Sequence, residues 1–441
     1  VKNHQEDKLD VAQDLYNKAI EINPNFINAH YNLGIIFNFS GNHQKALSCY
    51  EKVIEIDPNH TKAHYNLGVI LYNLGNNQKA KYYYEKVIEI DPNYADAHNN
   101  LGVIFKDSKD YQEALSCYEK VIKINPNHID AHYNFGAVFQ ELGDHKKAIY
   151  YYQKSIILKP DQNPSTYNLA VALHSNKEYK KAAEQFKLIN FKNSKSFLLS
   201  CLYKLDDKSI FIKELDNQIK QGETNAIIGS LTSRSKIKYG IKRLNPFCGD
   251  PLKYTLKTDL TERYDFKNIF AKPIKDALKE GVFSSREQGL LTNGHQTAGN
   301  LFTEKNEFLK KIKETIHLEV DKYHEYFKES KEGLIKSWPK SYNINAWLVN
   351  MKSGGKLSPH MHDFGWLSGS IYINVPPKLK TDSGNLVVCI DDQQTEIEKK
   401  IMDVVTGSLC LFPSSLYHYT IPFDSKENRI VLAFDVIADE S

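Results

Sequence analysis

Three histidines near the C-terminal end of the sequence have the spacing of metal ligands. His360 and His362 are separated by one residue, and His418 follows 58 residues after His360. On an extended segment, residues two apart project from the same face, so the first two rings are expected to point together. Two imidazoles from one strand and a third from a later strand can hold a divalent iron in a jelly-roll cavity, with positions left for substrate and oxygen. The spacing therefore predicts a metal site.

One arginine is placed to bind a carboxylate beside such a site. Arg429 lies 11 residues after His418, at the start of an apolar segment that reads as a strand. A buried guanidinium can bind a carboxylate through two parallel hydrogen bonds, since its planar fork matches the two oxygens. We therefore expect Arg429 to anchor an anionic ligand next to the metal.

Short strands separated by turn signals surround these residues. An amphipathic helix is predicted over residues 303–328, and its apolar positions follow the period of a helix. The predicted strands after it are Tyr342–Met351, Leu367–Val375, Gly384–Ile390, Ser408–Phe412 and Ile430–Val436. Short strands at this spacing favour a β-sandwich or barrel.

Taken together and in this order, these residues resemble the Fe(II)- and 2-oxoglutarate-dependent oxygenases of the double-stranded β-helix type, near the prolyl-hydroxylase-like branch. The resemblance covers about residues 340–437. It rests on four segments and two single residues: Pro359-His360-Met361-His362, Ser370-Ile371-Tyr372-Ile373-Asn374, Asp382-Ser383-Gly384-Asn385-Leu386, Gly407-Ser408-Leu409-Cys410-Leu411-Phe412-Pro413, His418 and Arg429.

The resemblance implies a set of roles for individual residues. His360 and His418 would bind iron, Arg429 would bind the distal carboxylate of 2-oxoglutarate, and Tyr372 would give that co-substrate a phenolic hydrogen bond. The implied activity is a dioxygenase that consumes Fe(II)-bound 2-oxoglutarate and O₂, releases succinate and hydroxylates a substrate. The protein would contribute positioning and a dry pocket.

The third metal ligand departs from the family pattern of His-x-Asp. His362 occupies the Asp position, and Asp363 follows it directly. On a regular strand His362 shares a face with His360 whereas Asp363 points away, which favours three histidine ligands. If the strand breaks at His362, as Phe364-Gly365 permits, Asp363 could turn inwards instead. The sequence leaves both assignments open.

The first 190 residues repeat a 34-residue pattern. An alanine recurs once per period, and Leu-Gly or Phe-Gly pairs mark where two helices approach closely. The pattern resembles a tetratricopeptide repeat array with half a repeat, four complete repeats and one in which Ala170 replaces the glycine. Prolines also recur at this interval, at Pro24, Pro58, Pro92, Pro126 and Pro160. Such repeats stack into a superhelix with a concave groove, which predicts binding of a protein or peptide.

One asparagine per repeat also keeps the 34-residue interval. These residues are Asn32, Asn66, Asn100, Asn134 and Asn168. In arrays resembling that of the O-linked N-acetylglucosamine transferase, this position forms a ladder along the groove. A side-chain amide has both a donor and an acceptor, so it can bind an extended peptide backbone whatever its sequence. The alternative is that the asparagines only tie neighbouring helices together.

Composition limits the remaining function classes. The chain has 441 residues and a net charge of +3, from 57 basic and 54 acidic residues without a long block of one sign, so neither nucleic acid nor a membrane is an expected partner. Six cysteines without a CxxC pair fit a reducing compartment, and we expect a cytoplasmic protein. Because Val1 falls inside a repeat, we expect the sequence to be incomplete at its start.

The predicted architecture is a multidomain α + β protein. A tetratricopeptide superhelix covers residues 1–190, a helical cap or linker covers 191–245, and an oxygenase-like double-stranded β-helix with flanking helices covers 246–441. The combination resembles a microbial group of 2-oxoglutarate oxygenases. The leading hypothesis is a protein hydroxylase whose array recruits its substrate. The alternatives are an oxygenase for a small molecule, with the repeats used for assembly, and a non-catalytic scaffold with a degenerate barrel.

Overall fold

The chain folds into two compact units, residues 1–194 and 195–441. The computed structural model describes residues 2–283, 285–286, 289–297, 299–303, 306–391 and 399–439. Within these ranges, no helix combines the length and apolar character needed to cross a membrane. None of the six cysteines, all of which lie in the described ranges, forms a disulfide.

The first unit consists of antiparallel helix pairs. After α1 (Lys2–Ile22), each pair has a first helix of 13 residues that contains the repeated asparagine. The helices are α2 (Ile27–Phe39), α3 (His43–Ile56), α4 (Thr61–Asn73), α5 (Asn77–Ile90), α6 (Ala95–Asp107), α7 (Tyr111–Ile124), α8 (Ile129–Glu141), α9 (His145–Leu158), α10 (Asn163–Ser175) and α11 (Tyr179–Lys187). The predicted α-solenoid is confirmed.

The repeated glycine is required because an aromatic ring lies against its backbone. A Cβ atom on Gly68 would lie 2.6 Å from Cε1 of Tyr84, which is buried in the second helix of the same repeat. Gly34 has the same relation to Tyr50, also at 2.6 Å. Real Cβ atoms do not approach another carbon so closely, so the glycine allows the two helices of each pair to pack.

Substitution of this glycine should therefore destabilise the array. For Gly68→Val we expect a loss of about 1–3 kcal/mol in the free energy of unfolding, the usual cost of overpacking a core. Denaturant unfolding followed by circular dichroism measures it. Asn73→Val, at an exposed position of the same helix, is the control and should change stability by less than about 0.7 kcal/mol, because only helix propensity is affected. Equal losses in the two variants would contradict the packing argument.

The second unit begins with helices and continues into sheets. Its helices are α12 (Ser194–Lys204), α13 (Lys208–Lys220), α14 (Ala226–Tyr239), α15 (Lys272–Lys279), α16 (Glu307–Tyr326) and α17 (Gly333–Lys336). Its strands are β1 (Leu256–Asp259), β2 (Ser285–Arg286), β3 (Leu291–Thr297), β4 (Tyr342–Leu357), β5 (Leu367–Asn374), β6 (Leu386–Cys389), β7 (Lys399–Met402), β8 (Ser408–Pro413), β9 (Tyr417–Thr420) and β10 (Arg429–Ala438).

Two antiparallel sheets form the β region. The larger has the strand order β1-β8-β5-β10-β4-β3-β2, and the smaller has the order β7-β6-β9. Because sequence neighbours are often separated in these orders, the chain crosses between the sheets repeatedly. The expected combination of a helical solenoid and a β-rich region that fits a double-stranded β-helix is confirmed.

The two faces of the large sheet have different partners. On β10, Leu432, Phe434 and Val436 belong to one core together with Ile312 and Ile316 of α16. Val431, on the opposite face, belongs to a second cluster, which includes residues of β6 such as Leu386 and Val388. Since side chains alternate along a strand, Arg429, Val431, Ala433 and Asp435 share that second face.

Candidate metal centre

Backbone hydrogen bonds join the two segments that contain the predicted metal ligands. His360 follows the end of β4 and forms an isolated bridge with His418 of β9. The amide nitrogen of His360 donates to the carbonyl of His418 at 3.2 Å, and that of His418 donates to the carbonyl of His360 at 2.8 Å. His418 is in turn paired with Val388 of β6. Regular sheet pairing thus places two of the three rings side by side.

All three predicted histidines meet at one point. One nitrogen atom from each of His360, His362 and His418 lies within 4.8 Å of the others. The ring centroids are 5.1 Å apart for His360 and His362, 4.2 Å for His360 and His418, and 4.8 Å for His362 and His418. Imidazole nitrogens that can approach one centre in this way are typical ligands of divalent transition metals.

Hydrogen bonds fix which nitrogen of two rings is left for a metal. Nδ1 of His360 lies 2.9 Å from the carbonyl oxygen of Ser358, and Nδ1 of His362 lies 2.6 Å from Oδ1 of Asp435. Both partners accept hydrogen bonds, so both Nδ1 atoms donate. In the neutral form of each ring, Nε2 then keeps its lone pair, which is the tautomer that a metal requires.

The environment keeps two of the rings neutral. Burial, and then the neighbouring His362, lower the pKa of His360 to about 4. Burial and the two neighbouring histidines lower the pKa of His418 well below its usual value. Nδ1 of His418 is buried and has no hydrogen-bond partner among the described residues. Near neutral pH both rings therefore present lone pairs and not positive charges, which fits a cation between them.

The third ring is paired with a carboxylate that sequence reasoning missed. Burial lowers the pKa of His362, but the charge of Asp435, its hydrogen bond and the charge of Asp363 together raise it by more, so the net pKa lies above the usual value. Asp435 is 7% exposed and lies near the end of β10. The signal available in the sequence was a single acidic residue within the apolar segment Arg429–Ala438.

Asp363, the alternative third ligand, does not belong to the group of converging side chains. A turn begins at Asp363, so the chain does leave the extended conformation directly after His362. Burial raises the pKa of Asp363 to about 6, against the opposing charges of His362, Lys204 and Arg234. Lys204 and Arg234 belong to helices α12 and α14.

Aromatic rings pack against the histidines. The Trp347 ring lies 5.3 Å from that of His362 in an edge-on arrangement, and the Phe412 ring lies 5.0 Å from that of His418. Phe412 is 2% exposed. These rings limit the access of water to the three nitrogens and raise the strength of electrostatic interactions there.

Arg429 is a buried cation without an internal counterion. It is 1% exposed, and no carboxylate in the described part of the chain lies within ion-pair distance of it. Nε–H donates to the carbonyl oxygen of Gly384 at 3.2 Å, and the guanidinium carbon lies 5.0 Å from the centroid of the Tyr372 ring. Since buried charges in proteins are normally paired, the remaining N–H groups fit an anionic ligand.

Tyr372 lies in the same buried layer. It is 1% exposed and accepts a hydrogen bond from the hydroxyl of Ser370 at 3.3 Å, so its own hydroxyl proton remains available for donation. Burial raises the pKa of Tyr372 above its usual value, and the hydroxyl group stays protonated.

The repeated asparagines contact the preceding repeat. Nδ2 of Asn66 donates to Tyr31 Oη at 3.3 Å, and Nδ2 of Asn100 donates to Tyr65 Oη at 3.1 Å. Two further members continue the pattern, Asn134 to Asn99 Oδ1 and Asn168 to Tyr133 Oη, each at 3.1 Å. Asn32, like the other four, is partly exposed. The amides thus join adjacent first helices and still have groups accessible to solvent.

Comparisons with known families find matches in two separate parts of the chain. Residues 345–435 match the family described as "Putative 2OG-Fe(II) oxygenase". Residues 27–60, 61–94 and 95–128 match the tetratricopeptide repeat, and related repeat families match residues 4–38 and 117–150. No curated protein matches the chain.

Several solved structures are similar to part of the chain. The pilF protein of Pseudomonas aeruginosa is 22% identical, with a TM-score of 0.39, over 48% of this chain and 93% of its own. MamA of Desulfovibrio magneticus RS-1 is 25% identical, with a TM-score of 0.35, over 37% of this chain and 92% of its own. YrrB, described as a TPR protein with an unusual peptide-binding site, is 20% identical, with a TM-score of 0.35, over 45% of this chain and 96% of its own.

The family matches confirm the two resemblances recognised in the sequence. The N-terminal part of the chain carries tetratricopeptide repeats, and residues 345–435 match a domain family described as "Putative 2OG-Fe(II) oxygenase".

Proposed function

We propose that this protein is an Fe(II)- and 2-oxoglutarate-dependent dioxygenase in which His360, His362 and His418 hold the iron. The observation that carries the proposal is the convergence of three largely buried imidazoles, one nitrogen of each within 4.8 Å of the others. Imidazole is a suitable ligand for Fe(II), and three protein ligands leave coordination positions for a co-substrate and O₂. Bound Fe(II) would supply the redox chemistry that couples O₂ to the oxidative decarboxylation of 2-oxoglutarate.

The surrounding residues serve binding and orientation. Arg429 would bind the distal carboxylate of 2-oxoglutarate, because it is a buried guanidinium that lacks a counterion within the described chain. Tyr372 would donate its hydroxyl proton to the same carboxylate. Trp347 and Phe412 pack against the ligand rings and exclude water. Exclusion of water protects reactive species from side reactions.

An anaerobic titration tests the metal and co-substrate together. The metal-free protein is titrated with Fe(II) and then with 2-oxoglutarate, and the weak visible metal-to-ligand charge-transfer band is followed. We expect the band to appear only when both are present, with slow uncoupled formation of succinate on admission of O₂. If neither the band nor succinate appears, the protein is a scaffold with a degenerate barrel.

We further propose that the repeat array recruits a polypeptide substrate. Tetratricopeptide repeats typically bind proteins or peptides, and here a row of partly exposed amides follows the first helices. Each amide of the row has an acceptor oxygen in addition to the donor used between repeats, so it can still pair with a peptide backbone.

Two kinds of variant separate peptide binding from the tie between repeats. In the full-length chain, Asn66→Ala with Asn100→Ala is expected to reduce affinity for peptides on an array of overlapping sequences at least about fivefold, since two net hydrogen bonds of about 0.5–1.5 kcal/mol each are lost. Tyr65→Phe removes the acceptor of Asn100 in the preceding repeat but keeps the amide and its second acceptor, the Tyr84 hydroxyl. It should lower the melting temperature yet keep peptide affinity. Affinities that match in all variants would contradict the ladder.

A further inference from the structure

One buried carboxylate lies directly behind the metal centre without joining it. Asp435 is 7% exposed and is paired across the sheet with Asn345 of β4 and Ser368 of β5. It is absent from the group of side chains that can share a metal ion, which contains only histidines among the described residues. Its position on β10, in the middle of the large sheet, fixes its backbone on both sides.

Asp435 contacts one ligand ring and one hydroxyl through the same oxygen. Oδ1 accepts from Nδ1 of His362 at 2.6 Å and from the hydroxyl of Ser368 at 2.8 Å. The Ser368 hydroxyl also lies 2.8 Å from that of Ser414 and 3.3 Å from Nδ1 of His362. A carboxylate held by two donors in a buried site is strongly oriented.

The charge of the ligand set explains why the contact between Asp435 and His362 matters for metal binding. A His-His-carboxylate site contributes one negative charge to a divalent metal, whereas three neutral imidazoles contribute none. A carboxylate that accepts from the far nitrogen of a ligand imidazole makes the near nitrogen more basic and fixes its direction. The oxygen of Asp435 is placed for this role, since it accepts from Nδ1 and leaves Nε2 for the metal.

We propose that Asp435 is the positioning residue of His362. From behind this ring, Asp435 supplies to the three-histidine site the negative charge that the missing carboxylate ligand would otherwise provide. The inference rests on the proposed function, because it needs His362 to be a ligand. It goes beyond that function in assigning the tuning of metal affinity to a residue outside the ligand set.

Co(II) serves as the probe, because its visible ligand-field absorption reports on its ligands independently of turnover. Asp435→Asn keeps the size of the side chain and removes its charge. In the metal-free full-length protein, we expect this variant to bind Co(II) about 10–100-fold more weakly than wild type, with a shifted ligand-field band. Glu319→Gln, which removes the charge of another buried carboxylate, one that is bonded to Arg263 and not to a histidine ligand, is the matched control and should bind Co(II) within about threefold of wild type.

The possible outcomes distinguish a failure of this inference from a failure of the proposed function. If wild type binds Co(II) and Asp435→Asn matches it in both affinity and spectrum, Asp435 has only a structural role and the inference is wrong. If His418→Ala binds Co(II) as tightly as wild type, the three-histidine site itself is wrong.

A measurement on the unmodified site covers the case in which Asp435→Asn does not fold. ¹⁵N-detected spectra of the Zn(II)-loaded wild-type protein, with the His362 signals assigned from a His362→Gln variant, show which ring nitrogen carries the proton. We expect Nδ1 of His362 to be protonated and Nε2 to be bound to the metal. A ring bound through Nδ1, or not bound at all, overturns the proposal.

Discussion

Replacement of His418 by alanine is expected to abolish stoichiometric Fe(II) binding. His418 is 7% exposed, is held by two backbone hydrogen bonds to His360, and has a buried nitrogen without a partner in the described chain. Loss of one of only three ligands leaves two imidazoles, which do not hold a divalent ion tightly in a site of this kind. Equilibrium dialysis under anaerobic conditions should show a loss in affinity of about 100-fold or more.

A second buried histidine provides the control for this loss. His64 is 6% exposed, and its Nε2 bonds to the carbonyl oxygen of Pro58, six residues earlier in the chain. His64→Ala therefore removes an equally buried imidazole far from the converging group in sequence and should leave the Fe(II) stoichiometry unchanged. If iron occupancy of His418→Ala equals that of wild type, the ligand assignment is wrong.

Replacement of Arg429 should separate co-substrate binding from metal binding. In Arg429→Met we expect the affinity for 2-oxoglutarate to fall at least about 30-fold, because loss of one partner of a buried charge pair costs about 2–5 kcal/mol. Affinity for Fe(II) should stay within about threefold, since Arg429 is not among the converging ligands. Calorimetric titration of the two ligands in turn measures both effects.

The same substitution should not weaken the ligand-free fold. A guanidinium that is 1% exposed and lacks a carboxylate partner among the described residues carries an uncompensated cost of desolvation. Methionine keeps most of the apolar stem and removes the charge, so the unfolding free energy of the ligand-free variant should equal or exceed that of wild type. A large loss of stability would mean that Arg429 serves the fold and not the co-substrate.

Arg263 is the control for general effects of removing a cation. It is bonded to Glu319 at 2.9 Å and its side chain is 45% exposed. Arg263→Met should leave the affinity for 2-oxoglutarate unchanged. Equal losses of affinity in the two arginine variants would show that charge in general, and not the position of Arg429, accounts for the effect.

The helical array could be predicted almost completely because its signals are local. Each of the four complete repeats contains its own glycine, and the ring that requires it lies 16 positions later, as Tyr50 follows Gly34 and Tyr84 follows Gly68. Such contacts close within one helix pair, so the 34-residue period records them directly. The contacts of the repeated asparagines depend on the neighbouring repeat. The 34-residue period alone therefore did not show whether these side chains join repeats or face a ligand.

The β region was predicted less completely, since short strands depend on distant partners. The five expected strands agree with β4, β5, β6, β8 and β10, although β4 continues to Leu357. The segment Tyr417–Thr420 was not among the expected strands, yet it forms β9 by pairing with β6. His418 therefore lies within this additional strand.

The sequence by itself determined the repeat register, the order of the oxygenase motifs, and a short set of candidate ligands, because these depend on residue type and spacing. Only the tertiary structure decided that His362 and not Asp363 faces the other two rings, that Asp435 lies behind His362, and that Arg429 is buried without a counterion among the described residues. The physical reason is that these contacts join residues far apart in the sequence. Residues 73 positions apart, such as His362 and Asp435, meet through the register of β10 with its neighbours and the turn after His362, which no local pattern encodes.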